Sequence, residues 1–239
     1  MKIEEFINVF DKYKSILNIN ISDEQYNELY YYMNNIIKWN EKVNVTAITD
    51  EKEFIEKHLV DSITVNKYLK NSNSIIDIGT GAGFPGIPLK IMNKEKKFTL
   101  VDSVGKKLKV IENINENMNL YNLEIIHARA EELANNIKYR EKYDVSVTRA
   151  VSNITTLMEY MLPFIKVDGI AICMKGPNYE SELNEAKKAI EILGGKLIKI
   201  DKIKINENIN RNIIIIKKVK NTPAKFPRKQ GKPLKEPIK

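Results

Sequence analysis

A glycine-rich loop carries the most specific chemical signal in the chain. The sequence DIGTGAGFPG runs from Asp77 to Gly86, directly after a short apolar segment that predicts a strand. Glycines at alternate positions, Gly79, Gly81 and Gly83, let a backbone turn sharply and approach a ligand where a Cβ atom would collide. A plain turn rarely needs so many glycines. The loop therefore predicts a binding site for a nucleotide-like ligand.

Two ligands compete for a loop of this kind. A G-x-G-x-x-G pattern ending at Gly86 formally matches the dinucleotide fingerprint of a nicotinamide-dependent oxidoreductase. In that fingerprint the first glycine lies directly at the end of the strand. In this chain the glycine at the strand end is Gly79, and the sixth residue counted from it is Phe84 instead of glycine or alanine. Pro85 also lies where a helix should offer free N–H groups to a pyrophosphate. The register favours an adenosine ligand without pyrophosphate, S-adenosylmethionine, and keeps the oxidoreductase as the alternative.

Two carboxylates accompany the loop. Asp102 lies at the predicted end of the second strand, about 20 residues beyond the loop, where an acidic residue hydrogen-bonds ribose hydroxyls in nucleotide-binding folds. Asp77 directly precedes the loop, and we expect it to hold the loop or a cationic group of the ligand. Both positions suit an adenosine ligand that carries a positive charge.

Metal and thiol chemistry have little support in the sequence. Cys173 is the single cysteine, and its position between Ile172 and Met174 in a predicted strand indicates a buried structural thiol. The two histidines, His58 and His127, are isolated, and we expect both to be structural. We therefore expect no bound metal.

The elements around these residues indicate an α/β protein. The segment 1–70 has helical periodicity and a capping box at Ser22-x-x-Gln25, with a third helix expected from Asp50. From 71 to 220, apolar strands alternate with helices, and the last two strands form a hairpin. This order predicts a class I (Rossmann-like) methyltransferase sheet behind an N-terminal helical subdomain. The candidate strands are 74–78, 97–101, 123–126, 144–147, 169–174, 196–205 and 211–219.

Charge is concentrated at the C-terminus of the chain. The net charge is +8 over 239 residues, and the segment 217–239 alone holds nine basic residues and one acidic residue. Four prolines among these lysines predict an extended tail over 221–239. Such a strip indicates either a polyanionic partner, nucleic acid before membrane, or a tail that improves solubility. With an acidic N-terminus and no long apolar run, we expect a soluble cytoplasmic protein.

Five motifs in this order closely resemble the glucose-inhibited division protein B family. They are DIGTGAGFPGIPL at 77–89, VDS at 101–103 with GKK at 105–107, HARAEE at 127–132, TRAV at 148–151 and FPRKQGKP at 226–233. Shorter matches at 39–47 and 57–62 extend the resemblance over nearly the whole chain. Members of this family are bacterial methyltransferases that modify guanine N7 in 16S ribosomal RNA of the small subunit.

The resemblance implies roles for individual residues. It implies that S-adenosylmethionine is bound, with S-adenosylhomocysteine as product, and that the partner is the small ribosomal subunit or an assembly intermediate. Separately, we expect a monomer, although the sequence does not identify the oligomeric state. It places Arg149 beside the methyl donor, and the basic motif in the tail favours phosphate contacts by Arg228 and Lys229. Lys175 lies at the same sheet edge and is expected to touch RNA. The cofactor site implied by the resemblance contains Gly79, Phe84, Asp102, Ala130 and Glu131.

The segment after the fourth strand restricts the acceptor. It lacks the Asp/Asn-Pro-Pro-aromatic motif of enzymes that methylate exocyclic amines, and Cys173 is no nucleophile for a cytosine-C5 reaction. Guanine N7 presents a lone pair and needs orientation rather than a base. Arg149 could orient the donor carboxylate, stack on and bind the target guanine, or simply pair with Asp144 or Glu131. Because a lasting contact to N7 would oppose methylation, we prefer a contact to the carboxylate or to a phosphate. Another RNA substrate and a non-catalytic ribosome-binding role stay open, as does the exact guanine.

Overall fold

The computed structural model describes residues 1–149 and 152–238. The N-terminal part is helical, as predicted, and Ser22 forms the expected capping box with Gln25. The helix from Asp50 is interrupted by a π-helical turn over Ile55–Val60. The helices there are α1 (Ile3–Asp11), α2 (Lys14–Leu17), α3 (Asp23–Asn40), α4 (Glu51–Phe54) and α5 (Asp61–Ile63), followed by a 3-10 turn at Asn66–Leu69.

A seven-stranded sheet forms the centre of the molecule. Its order is β3-β2-β1-β4-β5-β7-β6, in which the first five strands run parallel and β7 is antiparallel to both neighbours. All seven predicted strands are present, and the predicted hairpin at the sheet edge is confirmed. The strands are β1 (Ser74–Ile78), β2 (Lys97–Asp102), β3 (Leu123–His127), β4 (Tyr143–Arg149), β5 (Ile165–Lys175), β6 (Gly195–Lys204) and β7 (Asn210–Lys218).

Helices cover both faces of this sheet, which confirms the predicted α/β class. The strand order reverses between β1 and β4, so a crevice forms at their carboxyl ends, where ligands bind in folds of this kind. The helices after β1 are α6 (Gly86–Met92), α7 (Gly105–Met118), α8 (Ala130–Leu133), α9 (Ile154–Met161), α10 (Tyr179–Ile192) and α11 (Lys232–Lys235). No helix in the described ranges is long and apolar enough to span a bilayer.

The N-terminal helices pack directly on the glycine loop. Tyr32 of α3 is fully buried, and its hydroxyl donates to the carbonyl of Ala82. A Cβ atom on Gly83 would lie 2.6 Å from that hydroxyl and 2.7 Å from Ile87. Gly83 therefore provides room for α3, a role that the alternate spacing of the glycines did not indicate.

A buried carboxylate joins the N-terminal helices to the sheet. Asp61 of α5 is fully buried, and its Oδ1 accepts from Arg211 Nε of β7 at 2.8 Å. Its Oδ2 accepts from Arg149 Nη1 of β4 at 3.2 Å. Because a buried charge must be paired, this carboxylate fixes where the helices dock.

The prediction of an extended tail is wrong. Thr222, Phe226 and Pro227 are buried, and residues Lys232–Lys235 form α11. Arg140 donates to the carbonyls of Thr222 and Phe226 at 2.9 and 2.8 Å, which draws the segment onto the body. The prolines prevent a long helix but do not prevent docking, and buried carbonyl contacts leave no periodic pattern in a sequence. The division of the chain into 1–70, 71–220 and 221–239 stays a prediction.

The junction between helices and sheet should be sensitive to acid through His58. Burial, aided by the charge of the nearby Arg149, lowers the pKa of His58 to about 3. In the unfolded chain His58 takes up a proton near pH 6.5, whereas in the folded chain it stays neutral down to about pH 3. The free energy of unfolding therefore decreases as pH falls below 6.5. When pH is lowered from 7 to 5, we expect the free energy of unfolding of His58→Gln to rise by about 2 kcal/mol relative to that of wild type. Urea unfolding at both pH values measures this difference.

The control for this experiment is His127→Gln, because His127 is exposed. Its free energy of unfolding should change between the two pH values by the same amount as that of wild type. Equal pH dependence of wild type and His58→Gln would contradict the assignment.

Candidate cofactor and active site

A cleft of about 430 Å³ opens at the carboxyl ends of β1 to β4. It brings together six of the residues predicted from the sequence, although they are spread over 70 positions of the chain. These are Gly79, Gly81, Asp102, Ala130, Glu131 and Arg149. Ile78 and Val101 contribute apolar groups, so the lining of the cleft is both polar and apolar.

The glycine loop divides its residues between the cleft and the protein. Gly79 and Gly81 have φ values of 72° and 60°, a region that favours glycine. A Cβ atom on Gly81 would meet nothing within 4 Å, so this position faces the open cleft. A Cβ atom on Gly86 would instead collide with Leu100 and lie 2.8 Å from Asp77 Oδ2. From the loop, Gly79 and Gly81 line the cleft.

Asp102 is fixed by two backbone hydrogen bonds. Its Oδ2 accepts from Gly81 N at 2.8 Å, and its Oδ1 accepts from Val104 N at 2.8 Å. Each carboxylate oxygen has a second lone pair, and the side chain is only partly buried in the cleft wall. The carboxylate is thus oriented in advance and still able to accept a pair of hydroxyl groups.

Asp77 lies under the loop rather than in the cleft. Its Oδ2 accepts from Thr80 Oγ1 at 2.7 Å and from Gly86 N at 2.8 Å. Burial raises the pKa of Asp77 to about 7, although both hydrogen bonds and the charge of Arg149 oppose the rise. The other oxygen, Oδ1, is buried and has no hydrogen-bond partner among the described residues. Of its two expected roles, the geometry supports holding the loop.

Phe84 is not among the described residues that line the cleft. Its ring is buried and stacks on His58, with centroids 4.4 Å apart and an interplanar angle of 13°. The guanidinium of Arg149 lies 5.0 Å from the centre of the same ring. Phe84 therefore packs against two groups next to the cleft, and its predicted place in the cofactor site stays a prediction.

Arg149 is held by the N-terminal helices. Beside its ion pair with Asp61, it donates to the carbonyl of Lys57 at 2.8 Å and to Nδ1 of His58 at 2.9 Å. The alternative pairing with Asp144 or Glu131 is wrong. Residues 57–61 lie within a helical segment. The sequence did not reveal that they bind Arg149, because contacts between residues about 90 positions apart produce no periodic pattern. Ala150 and Val151 of the same motif lie outside the described residues.

The C-terminal tail forms part of the cleft wall, which the sequence did not predict. Leu234 of α11 lines the cleft together with Tyr160 of α9, although Leu234 is 60% exposed. Glu131 Oε1 accepts from Gly231 N at 2.9 Å. The carboxylate expected at the adenine thus also anchors the tail. The family motif at 226–233 was the available signal, but its charge pattern indicated only a basic strip.

The three residues predicted to contact RNA differ in their surroundings. Arg228 forms several hydrogen bonds to the buried carboxylate of Glu159, with Nη2 2.7 Å from Oε2. Lys175 pairs with Glu182 at 2.7 Å and is mostly buried. Lys229 is exposed. Arg228 has a structural partner that the charge pattern did not show, because a basic run does not reveal which of its charges meets a buried acid.

Cys173 is buried, as expected, and burial raises the pKa of its thiol to about 12. A thiol with this pKa is not a nucleophile at neutral pH. Among residues 1–149 and 152–238, no cluster of three histidine, cysteine or acidic side chains could hold a metal ion.

Two solved structures with a similar fold carry a bound methyl donor. The magnesium protoporphyrin IX methyltransferase of Synechocystis, solved with bound SAM, aligns with a TM-score of 0.57 at 14% identity, covering 83% of this chain and 98% of that one. TYW2 of M. jannaschii, solved in complex with AdoMet, aligns with a TM-score of 0.51 at 18% identity, covering 66% of this chain and 74% of that one. These similarities concern the fold.

Sequence comparisons are more specific. Ribosomal RNA small subunit methyltransferase G of Clostridium tetani is 44% identical over 238 residues, covering 95% of this chain and all of that protein. The protein of the same name from Acetivibrio thermocellus is 47% identical over 222 residues, covering 92% and 91%. The family model GidB, described as rRNA small subunit methyltransferase G, matches residues 25–214. With this match and a cleft built by the same motifs, the chain belongs to the GidB family.

Proposed function

We propose that this protein transfers the methyl group of S-adenosylmethionine to N7 of a guanine in 16S ribosomal RNA of the small subunit. The observation that carries the proposal is the cleft in which Asp102, fixed by two backbone N–H groups, faces the open position of Gly81. Relatives that are 44–47% identical and bear the name of a small-subunit rRNA methyltransferase support the substrate.

The residues of the cleft fit this cofactor. Asp102 would hold the ribose hydroxyls, while Ala130 and Glu131 would lie at the adenine with Leu234 on the open side. Gly79 and Gly81 would allow the methionine part to approach the backbone. The cofactor supplies an electrophilic methyl group on a sulfonium, which a lone pair can attack directly.

The beginning of α6 disfavours the oxidoreductase alternative. Its first N–H, that of Gly86, is hydrogen-bonded to the carboxylate of Asp77 at 2.8 Å. A dinucleotide pyrophosphate would need this N–H group at the helix N-terminus, and a carboxylate would repel it. An adenosine ligand without phosphates meets no such conflict.

The side chains that line the cleft suit an acceptor that needs no deprotonation. Asp102 and Glu131 already accept backbone N–H bonds, and Arg149 and Arg129 are cations. His58 lies behind the cleft, where its Nδ1 accepts from Arg149 and its Nε2 lies 2.7 Å from Thr46 Oγ1. The lone pair of guanine N7 forms the new bond without loss of a proton, so orientation is sufficient.

Arg149 would provide a positive charge at a fixed position in the wall of the cleft. Its three partners from residues 57–61 hold the guanidinium in one place, and Asp61 shares its charge with Arg211. We assign it to the carboxylate of the methyl donor. That role agrees with its position beside Ile78 and Gly79 and leaves guanine N7 unobstructed.

Methyl transfer tests the proposed reaction and Arg149 together. Labelled methyl from S-adenosylmethionine should enter small subunits that lack modification, and digestion should release N7-methylguanosine. Arg149→Lys should lower transfer at least tenfold, because lysine lacks the planar fork that contacts several groups at once. Tight cofactor binding without transfer to subunits or free 16S RNA would refute the substrate, and binding of NADH instead would favour the oxidoreductase.

Cofactor affinity should depend on Asp102. In Asp102→Asn the amide offers one acceptor oxygen and no charge, and a hydrogen bond to a charged group contributes roughly 1.5–3 kcal/mol. We expect the Kd for S-adenosylmethionine and S-adenosylhomocysteine to rise about 10- to 100-fold in calorimetry. Asp168→Asn is the matched control, because this carboxylate is exposed and pairs with Lys217 at the surface. An unchanged Kd in Asp102→Asn would remove Asp102 from the site.

The tail should contribute to cofactor and RNA binding through different residues. Leu234→Ser should raise the Kd for S-adenosylmethionine several-fold, since it removes an apolar wall of the cleft. Replacing the exposed Lys225 and Lys229 by Gln should leave that Kd unchanged. It should instead flatten the salt dependence of RNA binding, with a slope smaller by about 0.7–0.9 for each phosphate that the protein no longer neutralises.

Each tail variant is the control for the other. The same salt slope in the lysine variant and in wild type would exclude phosphate contacts by this strip. Point variants are preferable to truncation after Val219, which would also strip Glu159 and Glu131 of their partners.

A further inference from the structure

A second cavity of about 420 Å³ lies next to the cofactor cleft, at the carboxyl end of β5 and the start of α10. Ser152 lines both cavities. Because β4 and β5 are parallel neighbours, Arg149 of the cleft stands directly opposite Met174 of the second cavity. A group bound in the second cavity would therefore be adjacent to the methyl donor.

An ion pair forms the polar side of this cavity. Lys175 Nζ lies 2.7 Å from Glu182 Oε2, and the lysine side chain is only 11% exposed. Lys175 also donates to the carbonyl of Ser152 at 2.9 Å, and Glu182 Oε2 accepts from Ile154 N at 3.1 Å. The fold thus fixes both charges in one orientation at the wall of the cavity.

The pair still has capacity for a ligand. An ammonium group has three donors, of which Lys175 uses two on these partners. A carboxylate accepts about four hydrogen bonds, and Glu182 receives two on Oε2. Among contacts between described residues, one donor on Lys175 Nζ and about two acceptor positions on Glu182 Oε1 are therefore left for a ligand.

The rest of the cavity is lined in part by apolar groups. Met174, Pro177 and Tyr179 provide apolar walls, and a Cβ atom on Gly176 would meet nothing within 4 Å. Enzymes that act on a base extrude it into such a pocket, stack it between apolar side chains and read its Watson–Crick edge.

We propose that this cavity receives the target guanine, with Glu182 accepting from N1–H and the 2-amino group and Lys175 donating to O6. The assignment rests on the proposed function and names the residues that select the base. Adenine would present an amino group to the lysine and an acceptor to the carboxylate, so it would meet like groups at both positions. Contacts on the Watson–Crick edge leave N7 free for the methyl group.

The test measures selectivity for the 2-amino group. The substrate is 16S RNA, free or assembled into small subunits, that carries either guanosine or inosine at the mapped methylation position, since inosine lacks only that amino group. Wild type should prefer guanosine about tenfold or more in kcat/KM, and Glu182→Gln should reduce this preference to about two- to threefold. The glutamine should also lower kcat/KM for guanosine about 10- to 100-fold. A ratio within one preparation is independent of the fraction of folded enzyme.

Glu185→Gln on the same helix is the matched control, because Glu185 is exposed, and it should keep the wild-type ratio. The Kd for S-adenosylmethionine should stay unchanged in Glu182→Gln. The same guanosine preference in Glu182→Gln and wild type would overturn the assignment. Failure of wild type to methylate both small subunits and free 16S RNA would instead refute the proposed function, so the two failures are distinguishable.

Discussion

The buried carboxylate of Asp61 is the interaction on which the arrangement of this protein depends. It accepts from Arg149 on β4 and from Arg211 on β7, and none of its surface reaches solvent. Two arginines compensate for the cost of burying one charge, whereas loss of either partner would leave a buried group poorly satisfied. The N-terminal helices therefore dock in one orientation, and Arg149 is fixed at the cleft as a consequence.

The glycine loop shows how one sequence motif serves two physical demands. Its first half turns through positive φ angles and leaves Gly81 open to a ligand, while Gly83 and Gly86 admit Tyr32, Asp77 and Leu100 at distances that a Cβ atom would forbid. The proposed ligand site and the docking surface for the helices are thus built on the same ten residues. The aromatic stack of Phe84 on His58 continues this packing to Arg149.

The tail links the cofactor cleft to the basic surface of the protein. Its backbone is anchored on Glu131 and its Arg228 on Glu159, so the segment is part of the folded body. Exposed lysines alternate with these anchors, and Leu234 closes one side of the cleft. A simple basic strip would explain only the outward-facing charges of the tail. Its inward-facing residues complete the wall of the cleft.

The sequence by itself determined the elements and the ligand class. All seven strands, their parallel order with a terminal hairpin, and the placement of the loop and Asp102 at one cleft followed from periodicity, glycine spacing and the family motifs, because these signals are local. Only the tertiary structure decided the partners of Arg149, the stacking of Phe84 on His58, the docking of the tail and the pairing of Lys175 with Glu182. These contacts join distant segments, or depend on which side chain faces a buried charge, and no local pattern encodes that choice.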